Sequence, residues 1–217
     1  MRPLVVLLHG LARGKGSMAK LGKRLHAEGF EVWSHTYPSR QHAIGTLAAQ
    51  LADLLVETAG DRPVCAVTHS MGGVIVRHLG DPRIRWERIA MLAPPNRGSQ
   101  LAAGLAGNAL YRWFYGPAGS ELADGAAWPL PPAPFAVIAG TRSLALTNPS
   151  SWTVGRRFPP GTPNDGTVAV EETQLPGMAA YAEVDATHTW IMNDDRVGRL
   201  VVGFLHRGVF PEPSVTV

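Results

Sequence analysis

The sequence predicts an α/β domain built on a mainly parallel sheet, and three observations predict it. Short continuous apolar runs such as Leu4–Leu8 alternate with longer stretches whose apolar residues recur at helical spacing. Runs without polar interruption suit strands buried on both faces, as in a parallel sheet. The run Val64–Val67 gives way to the helix-compatible Val74–Leu79 through Thr68–Gly72, which leaves room only for a sharp strand-to-helix corner. At 217 residues the chain suffices for one sizeable domain and is short for two.

In chain order, Leu4–Leu8 is the first strand, and Ser17–Glu28 is a helix with Met18, Leu21 and Leu25 on one face, ended by Gly29. Phe30–His35 is a second strand and Pro38–Arg40 a loop. Ala43–Thr58 is a helix whose apolar side carries Ile44, Leu47, Leu51, Leu54 and Leu55. Gly60–Pro63 leads into the corner strand. Further strands follow at Ile89–Leu92, Phe135–Ala139 and Ala179–Val184, and Val197–His206 closes the chain as a helix. The alternation calls for right-handed crossovers. There are no internal repeats.

Two stretches break this rhythm. Asn96–Pro134 is rich in Gly, Ala and Pro and carries Leu110, Tyr111, Trp113, Phe114, Tyr115 and Trp128, with short helices hinted by Leu101, Leu105 and Leu110. Its aromatic content argues against disorder, and its length against a plain connection. A cap or lid over an apolar pocket is expected there, with an insertion packed passively on the core as the alternative. Thr141–Gly166 reads as a loop anchored by Trp152 and Phe158.

Composition narrows the function classes. With 45% hydrophobic and 17% charged residues the chain is an ordinary globular protein. A net charge of +3 with scattered arginines, and no basic run interleaved with aromatics, gives no footprint for nucleic acid. No apolar stretch approaches the roughly 20 residues that span a bilayer, so no stable membrane insertion is expected. The single cysteine, Cys65, falls in a buried strand and forms no internal disulfide. The apolar N-terminus ends in His9-Gly10 rather than at a small-residue cleavage site, so it reads as a core strand. A cytoplasmic protein is expected, with secretion open if a leader was removed.

The corner carries the chemistry. Thr68-His69-Ser70-Met71-Gly72 has the form of a nucleophile elbow, in which a strained turn lifts the serine hydroxyl above the sheet edge. Residues two before and two after the serine must be small because strand and helix nearly touch. Gly72 complies, Thr68 departs from the usual glycine, and Gly73 adds slack. The helix N-terminus offers free backbone N–H groups, with Met71 N–H one donor to a developing oxyanion. A Ser N-cap on an ordinary helix is the plainer alternative. A second donor is Leu11 N–H in the loop after the first strand, where Gly10 lets backbone approach a substrate.

Eight histidines compete for the base. His9 and His69 belong to the loops around the site and are expected to brace them. His26, His42, His78 and His206 are placed on helices in structural or surface roles, while His35, at a strand end, stays in contention. His188 lies after the last strand and before the last helix, where the order serine, acid, histidine places the base. Asp165, in Asn164-Asp165-Gly166, is the expected acid, fixing the imidazole tautomer. Its alternatives are an Asp-Gly turn or the rival Asp185, three residues before His188 and better suited to ordering that loop. Asp194 and Asp195 read as N-terminal charges of the final helix.

These pieces together resemble the α/β-hydrolase superfamily, and within it the small bacterial lipases and esterases. The resemblance rests on His9-Gly10-Leu11-Ala12-Arg13, Thr68–Gly73, Ala93–Ser99, Asn164–Val168 and Thr187-His188, in the family's order across most of the chain. It implies a Ser70–His188–Asp165 triad, an oxyanion hole from the Leu11 and Met71 amides, and ester hydrolysis without a cofactor. It also implies a shortened sheet lacking the fold's first two strands, which leaves Ser70 accessible unless Asn96–Pro134 covers it. Some relatives hold calcium, but no cage of carboxylates supports a metal here. A small-molecule ester, lipids included, is the expected partner, bound by His9, Gly10, His69, Trp113 and Phe114. The same triad serves thioesterases, amidases and acyltransferases, and the fold also occurs as a binding module. A lipid-surface role for the Tyr111–Tyr115 aromatics is a third class. Oligomeric state is not legible.

Overall fold

The computed structural model describes residues 2–105, 107–143 and 158–211. Among these, β1 (Leu4–Leu8), β2 (Glu31–Ser34), β3 (Val64–His69), β4 (Trp86–Leu92), β5 (Phe135–Gly140) and β6 (Ala180–Val184) form one sheet. Every pairing is parallel and the order is β2-β1-β3-β4-β5-β6. The chain therefore starts mid-sheet, steps outward to β2, returns beside β1 as β3 and then runs the other way. Connections diverge above the carboxyl ends of β1 and β3, where open α/β sheets place their crevice.

The helices are α1 (Ala19–Ala27), α2 (Ile44–Ala59), α3 (Met71–Arg77), α4 (Gln100–Leu105), α5 (Ala109–Glu121), α6 (Val170–Thr173) and α7 (Asp195–Arg207). β1 is buried throughout, because alternate residues feed two cores. Val5 and Leu7 pack with Leu21 and Leu25 of α1 and Val201 and Phe204 of α7. Leu4, Val6 and Leu8 pack with Leu47 and Leu51 of α2 and Ile75 of α3. Cys65 lies in the first of these cores, where burial pushes its thiol pKa up to about 11, so it stays protonated at neutral pH. No described helix is long and apolar enough to cross a membrane.

Element ends differ from expectation where tertiary contacts decide them. β3 runs on to His69 and α3 begins at Met71 and stops at Arg77, instead of spanning Val74–Leu79. The corner takes only Ser70, whose amide is tied to Leu92 O (2.9 Å) across the sheet. The expected helix Ser17–Glu28 divides into a 3-10 turn, Lys15–Met18, and α1. His42 sits in a turn before α2 rather than on a helix, and His35 lies just past β2, stacked on Trp33.

The 96–134 stretch forms α4 and α5 on the α2/α3 side. Its neck is narrow: a Cβ on Gly98 would stand 2.9 Å from Ala123 O, and one on Gly125 only 2.5 Å from Gly98 N. Arg77, buried on α3, closes that neck by donating to Pro129 O (2.6 Å), Asn96 O (2.6 Å) and Trp128 O (2.9 Å). Burial lowers its guanidinium pKa to about 10, still charged at neutral pH. Buried Glu172 of α6 grips the other side, accepting from Gln100 N (2.6 Å) and Ala169 N (2.8 Å). Beyond the neck, α5 kinks at Gly116 (φ 68°) against the Arg40 carbonyl, and Glu121 accepts from Ile44 N (2.7 Å) at the start of α2. Phe158 is buried, and the expected anchor Trp152 lies outside the described residues.

Candidate active site

Ser70 adopts φ 53°, ψ −124°, a conformation non-glycine residues rarely take. Among the described residues the other positive-φ non-glycines are Ala12 and Ala93. All three lie just past the carboxyl ends of adjacent strands, so backbone strain collects along one rim. The corner closes because Gly72 has no side chain: a Cβ there would stand 2.5 Å from Leu8 O. Gly73 is not slack, as the sequence implied. A Cβ on it would meet Pro94 Cβ at 2.8 Å and Thr68 Oγ1 at 3.3 Å, so the glycine after the elbow makes room for the threonine before it.

His188 stands beside this corner in the loop after β6. Its Nε2 is 3.0 Å from Ser70 Oγ and its Nδ1 2.7 Å from Asp165 Oδ2. The carboxylate accepts, so Nδ1 carries the proton and Nε2 is left to accept from the serine hydroxyl. Asp165 is buried, and its Oδ1 accepts from Val168 N (2.8 Å) and Thr167 N (3.0 Å). The two loops are also joined through backbone, His188 N donating to Asp165 O (2.9 Å). Gly140 at the end of β5 makes that approach feasible, since a Cβ would stand 2.8 Å from Asp165 Cβ and 2.6 Å from Ala186 O. Asp185 instead faces solvent and pairs with Arg142, and Asp194 caps α7 through Arg196 N and Val197 N.

Two other histidines, His69 and His9, brace the site. His69 Nε2 donates to His188 O (2.9 Å), leaving its buried Nδ1 without a partner among the described residues. Burial, and then the neighbouring His188, hold its pKa well below the ordinary 6.5, so it is neutral. His9 is buried and stacked on Tyr37 at 3.9 Å. Its Nδ1 donates to Gly10 O (2.8 Å) and its Nε2 accepts from Tyr37 N (3.3 Å), while Tyr37 OH donates to His9 O. With Gly10 O held back by His9, the trans peptide turns Leu11 N–H the other way. Gly10 itself packs on the serine: a Cβ there would lie 3.2 Å from Ser70 Cβ. Neither Leu11 N–H nor Met71 N–H bonds to any described residue.

Ser70 opens on a cavity of about 320 Å³. Gly10, Leu11, His69 and His188 line its floor, and Leu101, Leu105, Tyr111, Phe114 and Leu122 of the 96–134 stretch line its wall. Two sequence expectations for substrate contact do not hold geometrically. Trp113 points away, 75% exposed, because helical spacing sets it on the face opposite to the cavity. His9 lies beneath the cavity rather than in its lining. Sequence reading also missed Tyr37, Ser39, Arg77, Gly140 and Glu172. Tyr37 and Ser39 sit in the loop after β2, a position that alone marks them; the rest carry no local signal.

A serine on a strand–turn–helix corner, above the edge of a parallel sheet, defines an α/β hydrolase fold. The chain belongs to the alpha/beta hydrolase family, whose sequence profile matches residues 5–213. No functionally curated protein matches the sequence. Among solved structures it is similar to the mature lipase BlEst2 of Bacillus licheniformis, with TM-score 0.77 and 20% identity over 96% of this chain and 93% of that one. It is also similar to the metagenomic carboxyl esterase MGS0156 (TM-score 0.69, 18% identity, 87% of this chain and 65% of that one). The monoacylglycerol lipase of Paleococcus ferrophilus matches at TM-score 0.58 and 20% identity, over 94% of this chain and 95% of that one.

Proposed function

We propose that the protein is a carboxylic ester hydrolase that works through an acyl-enzyme on Ser70. The observation that carries this reading is the unbroken hydrogen-bonded chain from Asp165 Oδ2 through His188 to Ser70 Oγ at the mouth of an apolar cavity. His188 Nε2 takes the hydroxyl proton as Oγ bonds to the ester carbonyl carbon. The resulting oxyanion is met by the Leu11 and Met71 N–H groups. Collapse breaks the bond to the alcohol, which leaves with the proton held by His188. Water, deprotonated by the same nitrogen, then cleaves the acyl-enzyme and frees Ser70. Asp165 keeps the imidazole in the required tautomer and balances the imidazolium. The domain is read as a single unit in which 96–134 caps the pocket, and its apolar wall suits an apolar acyl group.

Hydrolysis of 4-nitrophenyl esters from acetate to palmitate, by wild type and Ser70→Ala, tests this. The expected result is a chain-length optimum in wild type and a loss of turnover on the order of a millionfold in the variant. No wild-type turnover on any ester, together with no labelling of Ser70 by a fluorophosphonate, overturns the reading.

A further inference from the structure

Arg13 is the charged side chain that the proposed chemistry leaves without a task. It lines the same cavity as Ser70 and His188 and is half-buried. Its backbone is held on both sides: Ala12 N donates to Ser39 Oγ (3.0 Å), and Lys15 N donates to Thr36 Oγ1 (3.0 Å). Ala12 is bound in the left-handed region (φ 56°), so this loop keeps its shape against local preference. Yet the guanidinium makes no hydrogen bond or ion pair with any described residue. Arg77, the other arginine drawn into the interior, donates to three carbonyls.

Among the described residues no carboxylate lines the cavity, and its other titratable groups are His69, His188, Tyr111 and Tyr115. Asp165, the acid of the site, is committed to His188 and to two backbone amides. Burial lowers the Arg13 pKa, and no bonded anion offsets that burial. A half-buried guanidinium without a counter-ion has lost part of its hydration with no charge partner in return, which an anionic ligand would supply. Its planar fork matches two oxygens of a carboxylate or phosphate.

The geometry points to Arg13 as a specificity residue that binds an anionic group, carboxylate or phosphate, carried by the ester substrate. This rests on the reading of the site as an ester hydrolase. It divides the pocket into an apolar wall for the acyl chain and a cationic corner beside the oxyanion loop. The substrate class is then a charged ester rather than a neutral one.

Two matched pairs of esters test it: 4-nitrophenyl butyrate against 4-nitrophenyl hydrogen succinate, and monobutyrin against butyryl glycerol phosphate. The readout is the ratio of kcat/KM, anionic over neutral, so that any general loss of activity cancels. In Arg13→Gln the ratio is expected to fall about 10- to 100-fold for at least one pair. Arg13→Lys, which keeps the charge and loses the fork, is expected to fall between. A fall confined to the succinate pair assigns a carboxylate, and one confined to the glycerol pair a phosphate. Ratios unchanged in both pairs overturn the proposal.

Binding of the same esters to Ser70→Ala, followed by isothermal titration calorimetry, needs no turnover. Tighter binding of the anionic ester that is lost in Ser70→Ala/Arg13→Gln supports the proposal even if wild type hydrolyses nothing, in which case the hydrolase reading alone fails. Equal binding of charged and neutral esters to both proteins counts against Arg13 whatever the turnover.

Discussion

Ser70, Asp165 and His188 sit on turns tied to their neighbours through backbone amides, whereas Leu110 and Trp113 stand exposed on a kinked helix that meets the rest of the chain through Arg40 at its middle and Glu121 at its end. The floor of the site is made of strained turns at a buried sheet edge. The wall is made of apolar side chains on α4 and α5, tied down by Arg77, Glu172 and Glu121. Proton transfer tolerates little displacement, so its groups belong on rigid elements. An apolar contact with an acyl chain is non-directional, so its residues need only the right side and size. On the proposed reading, the contrast separates the part that would fix reaction type from the part that would shape the substrate.

Three measurements would break or sharpen that contrast. The largest effect is expected at the floor, where Asp165→Asn leaves the fold but loses the anion that fixes the His188 tautomer. Turnover on 4-nitrophenyl butyrate should fall about 10⁴-fold with little change in KM. A fall of only a few-fold would show that Asp165 is a turn residue and that another acid serves.

Next comes the neck of the wall. Arg77→Met strands the carbonyls of Asn96, Trp128 and Pro129, at a cost of about 3 kcal/mol, or roughly 6–12 °C in Tm. If the wall is a separate layer, KM for long-chain esters should rise more than kcat falls. Equal loss of kcat on acetate and on long esters would mean that wall and floor are one unit.

The smallest effect concerns acid stability. His69 has its folded pKa depressed well below 6.5, so the unfolded chain takes up a proton that the folded chain refuses. Its stability contribution is complete above about pH 6.5 and is lost as pH falls from there toward the folded pKa, by up to about 1.4 kcal/mol per pH unit. Urea unfolding at pH 7, 6 and 5 should show this slope, and His69→Gln, which keeps a donor for His188 O, should flatten it by about one proton. An unaltered slope would place the acid sensitivity elsewhere.

Much of the floor was legible because its chemistry requires particular residues in a particular order. Ser70 is marked by the corner around it, His188 by its place between the last strand and helix, and Asp165 by falling between them. The central strands were legible as unbroken apolar runs, since a strand buried on both faces has no polar side. The wall was legible only as an anomaly. Trp113 and Phe114 are neighbours of like composition, and nothing in the sequence tells which of them turns inward.

By itself the sequence determined the α/β alternation and the strained serine corner, because these follow from local periodicity and turn chemistry, and it singled out Asp165 and His188 through their order along the chain after the serine. Tertiary structure alone decided that Gly140 lets the acid and histidine loops meet, that Tyr37 and His9 turn the Leu11 amide, and that Arg77 pins the 96–134 stretch. It also decided that Arg13 lines the cavity beside Ser70 with no carboxylate among the described lining residues. Each of these joins residues far apart along the chain, where separation in sequence carries no information about distance or desolvation.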